Sequence, residues 1–186
     1  APSYRLLNPL TIPLHLIVLI GGAWFVASQQ PGWLGVLGLG LLVGAISGFG
    51  VNIGHELGHK KSSLERTLAS LILSLGAYGH FSIEHNKGHH RDVSTPDDPA
   101  SARMGESIWR FALRDLPGGA RRACRLERER LQRAGMPVWS RHNAILQPLL
   151  LSVVLYGTLI WLFGPLMLVY LSIVALIGAF QLTSAN

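Results

Sequence analysis

Two runs of this chain carry no Asp, Glu, Lys or Arg: Leu6 to His55 and His142 to Asn186. Both are far longer than a buried helix of a soluble protein needs. Crossing ~30 Å of hydrocarbon takes ~20 apolar residues, so each run has room for two spans. The charge is segregated to match. All 10 acids and fifteen of the 16 Lys and Arg lie between His55 and His142. By the positive-inside rule, that middle stretch faces the cytoplasm. Topology and lipid headgroups then account for the net charge of +6, and nucleic-acid binding is not needed. The first run lacks the basic flank and cleavage site of a signal peptide. A single cysteine, Cys124, excludes an internal disulfide and suits a reducing side of the membrane.

The apolar pattern places spans at about 10–27, 33–53, 145–163 and 165–182. Gln29-Gln30-Pro31-Gly32 turns the first pair and Gly164-Pro165 the second. Three parts follow: 1–60 with two spans, 61–143 facing the cytoplasm, and 144–186 with two more. The chain is expected to enter from the cytoplasm near Arg5 and to end there at Asn186. A further apolar stretch, Leu64 to Ile83, is long enough to cross. Lys60-Lys61 before it and the charged segment after it both favour the cytoplasm, so it is read as a helix at or beneath the interface. Ser62 and Glu65 resemble a capping box, and Leu64, Leu68, Leu71, Ile72 and Leu75 form its apolar stripe. In the second span, Gly40, Gly44 and Gly48 mark one face and Gly50, Gly54 and Gly58 another, a spacing that lets helices approach closely in lipid. A helix from Trp33 to Lys60 would be ~42 Å long and would lift its last residues to the interface.

Those last residues begin the chemistry. Five of the 8 histidines fall in two short stretches: His55-Glu56-Leu57-Gly58-His59, and Glu84-His85-Asn86-Lys87-Gly88-His89-His90. Imidazole is the commonest protein metal ligand, and an i, i+4 pair shares one helix face. The first stretch also fits the H-E-x-x-H pattern of zinc metallopeptidases, with Glu56 as general base. A peptidase needs one further ligand, whereas His85, His89 and His90 would add three. Five imidazoles exceed a single tetrahedral site and suggest two metals. The residues alone leave zinc, copper, nickel and iron open. Apolar surroundings favour a lipid-soluble substrate and oxygen chemistry over hydrolysis.

Several motifs together carry a resemblance. His55-Glu56-Leu57-Gly58-His59-Lys60, Glu84 to Val93, Asp98-Pro99-Ala100-Ser101, Met104-Gly105-Glu106-Ser107-Ile108, Leu146-Gln147-Pro148 and Gln181 to Asn186 are similar to the bacterial membrane alkane 1-monooxygenases, over nearly the whole chain. The second box has three residues between its first two histidines, unlike the H-x-x-H-H box usual in acyl desaturases. The resemblance implies an all-α, polytopic membrane bundle in the bacterial inner membrane, its histidine boxes on cytoplasmic helices. It implies two iron ions held by His55, His59, His85, His89 and His90. The implied reaction is hydroxylation of the terminal methyl of medium-chain alkanes with O2. The implied electron donor is rubredoxin, served by an NADH-dependent reductase. Glu56, Glu84 and His80 are candidates for groups behind the ligands, with ordinary salt bridges or local hydrogen bonds as the alternative. The family continues beyond both ends of this chain, so the remainder of a longer chain is expected to complete the site.

A related oxygenase acting on aryl methyl groups or fatty-acid chain ends would use the same ligands. A metal binder without activity is a further alternative. His15, alone in an apolar span, reads as structural, and His142 and Trp139 as interfacial. Arg121 to Arg130 reads as a charged helix facing solvent or headgroups, or docking an acidic partner. Gln181, Thr183, Ser184 and Asn186 either line the site or satisfy a helix end.

Overall fold

A computed structural model describes residues 10–185 of the chain. The helices are α1 (Thr11–Gln29), α2 (Gly32–Gly58), α3 (Ser63–Leu75) and α4 (Phe81–Glu84). A π-helical turn (His85–His89) follows, then α5 (His90–Asp92), α6 (Ile108–Arg133), α7 (Leu146–Phe163) and α8 (Leu166–Ala185). Among the described residues there is no strand. The expected entry near Arg5 and the end at Asn186 lie outside them.

Helices α1, α2, α7 and α8 are long and apolar enough to cross a membrane. Gln30 (φ 45°) and Gly32 (φ 68°) reverse the chain between α1 and α2, and Gly164 (φ 90°) does so between α7 and α8. Phe49, Leu150, Val154 and Trp161 point outward, as hydrocarbon-facing residues should. The inner core gathers Leu19 and Val26 of α1, Val43 of α2, Leu159 of α7 and Met167, Tyr170 and Val174 of α8.

Helix α2 is the axis, and its two glycine faces serve different neighbours. A Cβ on Gly44 would lie 2.7 Å from Ile177 Cβ, and one on Gly40 2.9 Å from Ile173 Cγ2, so the first face seats α8. The second receives His15 of α1 against Gly50 and Ile72 and Leu73 of α3 against Gly54. Close packing of this kind supplies the association energy that the hydrophobic effect cannot supply in lipid.

The stretch from Leu64 to Ile83 does not form a spanning helix. Helix α3 has 13 residues, and the chain turns at Gly76 and Ala77 (φ 54°). It nevertheless goes deeper than an interfacial helix. Ser152 Oγ donates to the Ser74 carbonyl (2.7 Å) and Tyr156 OH to the Leu75 carbonyl (3.0 Å). Tyr156 is ten residues into α7, ~15 Å along its axis. The segment therefore dips between the spans and returns, its loose carbonyls satisfied by α7, as backbone at that depth requires. Its buried face is Ala69, Ile72 and Leu73, while Leu64 and Leu71 of the expected stripe are exposed. Ser62 is the N-cap residue but makes no side-chain cap; its carbonyl accepts from the Arg66 amide instead.

The basic run at Arg121–Arg130 is helical, as expected, but belongs to a longer helix that starts at Ile108 and contains Pro117. Only one side of it is solvated. Arg121, Arg125 and Arg128 are exposed, whereas Phe111, Asp115, Arg122, Leu126, Glu127 and Leu131 are buried. That amphipathic packing clamps α6 over α4 and the π-helical turn through Ile83, Ala123 and Leu126.

Candidate metal centre

Both histidine clusters meet at the end of α2. His55 Nε2 lies 2.8 Å from His85 Nε2 and 2.9 Å from His59 Nε2, and His85 lies 3.2 Å from His59. His90 Nε2 is 3.1 Å from His85 Nε2. A spanning Leu64–Ile83 segment would have put the clusters on opposite faces, so these contacts exclude it.

A π-helical turn makes the second cluster converge. The His90 amide donates to the His85 carbonyl, an i+5 bond that widens the turn. In an α-helix residues five apart diverge by ~140°. Here His85 and His90 share a side instead. His89 is directed elsewhere: its Nδ1 pairs with Asp98 Oδ2 at 2.8 Å, and its ring stacks on His85 at a centroid distance of 5.2 Å.

The Nε2 triangle of His55, His59 and His85 fits a cation. Each Nε2 either carries a proton or offers a lone pair. Among three mutually close Nε2 atoms, two must be of the same kind, so at least one contact sets lone pair against lone pair or proton against proton. Hydrogen bonding alone cannot satisfy all three. A cation between them satisfies every lone pair at once. Two nitrogens bound at right angles ~2.1 Å from one ion lie ~3.0 Å apart, the separation seen here. The same three residues form the group whose ligand atoms all fall within 4.8 Å. His89 and His90 border that group rather than join it.

Burial favours the neutral form of His85 and His90. Burial first, and neighbouring imidazoles second, hold His85 down to about 3, and His90 is lowered for the same reasons. A neutral imidazole is the form that binds metal. His85 is 3 % exposed, while His59 and His90 are exposed and His55 and His89 lie between.

Behind the imidazoles stands a network in which Asp98 and Arg122, given no individual role from the sequence, join Glu84. Asp98 accepts from His89, from Ser101 Oγ (2.5 Å) and from the Ala100 amide (3.1 Å). Arg122 donates to Asp98 Oδ1 (2.8 Å), to Glu84 Oε1 (3.4 Å) and to Asp92. Arg122 and Asp98 are 4 % and 1 % exposed. The readable signal for Asp98 was an acid before Pro99 with Ser101 three residues on, a turn-forming pattern. Nothing in the charge run marked Arg122 as its buried member.

The three residues expected behind the ligands are placed differently. Glu84 is buried on Arg122 rather than on an imidazole, and burial pushes it up to about 7 against the pull of Arg122. Glu56 is exposed, without hydrogen bond or ion pair among the described residues. His80 packs edge-on to Tyr78, and burial lowers its pKa. At the end of α8, Thr183 Oγ1 donates to Asp115 Oδ2 (2.9 Å), Ser184 to the Gln181 carbonyl, and Gln181 packs against Gly48. Ser184 thus satisfies the helix end, while Thr183 ties α8 to α6 and Gln181 packs on α2, and none of these contacts reaches the imidazole cluster.

The fold and site together define a polytopic helical membrane protein with an imidazole cluster that could hold a metal at one end of its spans. The chain belongs to the fatty acid desaturase family, whose pattern matches residues 31–186. It is 53 % identical to an alkane 1-monooxygenase of Ectopseudomonas oleovorans, over 98 % of this chain and 46 % of that protein. It is 54 % identical to alkane 1-monooxygenase 1 of Alcanivorax borkumensis, over 98 % of this chain and 45 % of that protein. A xylene/toluene monooxygenase hydroxylase component of Pseudomonas putida is 30 % identical over 61 % of this chain and 31 % of its own length. The chain thus spans about half the length of the curated alkane monooxygenases it matches. The family assignment removes the zinc-peptidase reading, and the exposed, unpartnered Glu56 agrees.

Proposed function

We infer that the protein containing this chain hydroxylates the terminal methyl of medium-chain n-alkanes to primary alcohols. The Nε2 triangle of His55, His59 and His85 carries this reading, together with the likeness to alkane 1-monooxygenases. His55, His59, His85, His89 and His90 would hold non-heme iron, two ions in the complete site. Iron supplies the redox chemistry: one atom of O2 enters the C–H bond and the other leaves as water, consuming two electrons and two protons.

The chain's own residues do the rest. Histidines from the end of α2 and the π-helical turn bring their Nε2 atoms within reach of one ion. Asp98 accepts the His89 Nδ1 proton and so keeps Nε2 free as a ligand atom, the usual task of a carboxylate behind a metal-binding histidine. The apolar spans bring a lipid-soluble substrate to a centre at their end and restrict water there. Rubredoxin, reduced by an NADH-linked reductase, is the proposed electron donor. The segregated positive charge supports a cytoplasmic face for the centre in a bacterial inner membrane. The likeness to the xylene/toluene hydroxylase supports aryl methyl groups as a second substrate class.

The test supplies purified full-length protein with octane, O2, rubredoxin and its reductase, and reads products by gas chromatography. Formation of 1-octanol, lost in His55→Ala and His85→Ala, is expected. Alcohol formation that survives both substitutions would overturn the reading.

A further inference from the structure

Outside the metal centre, the most strongly charged feature is a cavity of about 430 Å³ between the 96–103 loop and α6. Five arginines line it, Arg103, Arg114, Arg121, Arg122 and Arg125, against one carboxylate, Asp97. Two of the five are already neutralised. Arg114 is paired with Glu106 and donates to the Pro99 and Ser101 carbonyls. Arg122 is held by Glu84, Asp92 and Asp98. Arg103 shares Glu106 with Arg114, while the side chains of Arg121 and Arg125 have no hydrogen bond or ion pair with a carboxylate among the described residues. A cavity lined by five guanidiniums and one carboxylate, with Arg121 and Arg125 unpaired, is short of anionic charge. The guanidinium fork matches the oxygens of a phosphate bidentately.

The surroundings favour a lipid as the source of that phosphate. Trp109, in the first turn of α6, stacks on Phe180 of α8 at a centroid distance of 5.2 Å. Phe180 is five residues from the end of that span, which sets the start of α6 beside the membrane boundary. Beside Arg103 in the chain, Met104 is 105 % exposed, and in the first turns of α6 Trp109 and Leu113 are 68 % and 78 % exposed. A helix that starts at the membrane boundary with exposed apolar side chains and carries a basic cavity suits an amphiphile with acyl chains and a charged headgroup.

We propose that this arginine cavity binds the headgroup phosphate of an anionic phospholipid. The experiment titrates the intact protein in neutral detergent with phosphatidylglycerol, phosphatidylcholine or inorganic phosphate, and reads binding by native mass spectrometry. Phosphatidylglycerol is expected to bind more tightly than phosphatidylcholine. The triple variant Arg103→Gln/Arg121→Gln/Arg125→Gln should weaken phosphatidylglycerol by about a hundredfold, at about fivefold per arginine. The single variants serve if the triple variant does not fold. Lysine at the same three positions should restore most of the affinity. The control Arg110→Gln/Arg128→Gln/Arg133→Gln removes equal charge outside the cavity and should leave binding unchanged. Equal loss in that control would reduce the effect to net charge and overturn the site. Equal affinity for the two lipids would overturn it as well. Occupancy by inorganic phosphate that blocks the lipid at matched concentration would assign the cavity to a soluble phosphate and overturn the lipid reading.

Discussion

His89 Nδ1 lies 2.8 Å from Asp98 Oδ2, a contact between a histidine box and a loop nine residues further on. Asp98 in turn is pinned by Arg122 from α6. The orientation of one proposed ligand is thus set by a residue thirty-three positions away in the chain.

Replacing Asp98 with Ala should therefore weaken metal retention without removing a ligand. Loss of the carboxylate behind a metal-binding imidazole costs about 10–100-fold in affinity. Iron retained after graded chelator exposure measures this. Asp98→Asn should fall between Asp98→Ala and the parent, because its carbonyl oxygen can still accept from Nδ1. Retention equal to the parent in both variants would show that His89 needs no orientation from the loop.

Arg122 holds three carboxylates, two of them buried. Arg122→Met should strand Glu84 and Asp98 as uncompensated buried acids and lower stability by about 3–5 kcal/mol. Arg122→Lys should recover little, since an ammonium cannot reproduce the fork that reaches three partners. Thermal melts of the full-length protein in detergent report both. A loss below about 1 kcal/mol would place the pairs in the range of solvated surface bridges.

Burial pushes Asp115 up to about 6, opposed by the hydrogen bond from Thr183. A raised acid in the folded state favours the protonated form. Its contribution is therefore most favourable below the ordinary value of 3.8, falls as pH rises through about 6, and is constant beyond. A displacement of about two units corresponds to roughly 3 kcal/mol at neutral pH. Asp115→Asn should remove most of that cost, so the variant should melt above the parent at pH 7.5 and converge with it near pH 4. A variant that melts lower at both pH values would contradict this assignment.

The glycines of α2 separate close packing from simple tolerance. Gly44→Val should cost about 1–3 kcal/mol by forcing α8 away from Ile177 contact distance. Gly38 has nothing within 4 Å of its added Cβ. Gly38→Ala should be neutral or stabilising by up to about 1 kcal/mol, from helix propensity. Equal losses at the two positions would contradict the assignment of the first glycine face to α8.

Much of this molecule was legible because bilayer and metal chemistry both leave coarse marks. Uncharged runs located the four long apolar helices to within a few residues, and the two histidine stretches marked the place where His55, His59 and His85 gather. The depth of α3 was not legible, because Ser152 and Tyr156, which accept its end into the bundle, lie some eighty residues further on. The apolar stripe failed as a guide there for a related reason: beside lipid, apolar residues are stable on both faces, so Leu64 and Leu71 need not be buried. The convergence of His85 with His90 was hidden because a five-residue spacing has meaning only in a π-helical turn. Arg122 looked like its neighbours in a basic run, and Pro117-Gly118-Gly119 disguised the first half of α6.

The most direct measurement is metal content by elemental analysis of the full-length protein, beside His85→Ala. Close to two irons in the parent, and a marked loss of iron in a variant whose far-UV circular dichroism is unchanged, is the expected result. One zinc per protein, or iron that is unaffected when His85 is removed, would contradict a histidine-ligated iron centre built on the triangle of His55, His59 and His85.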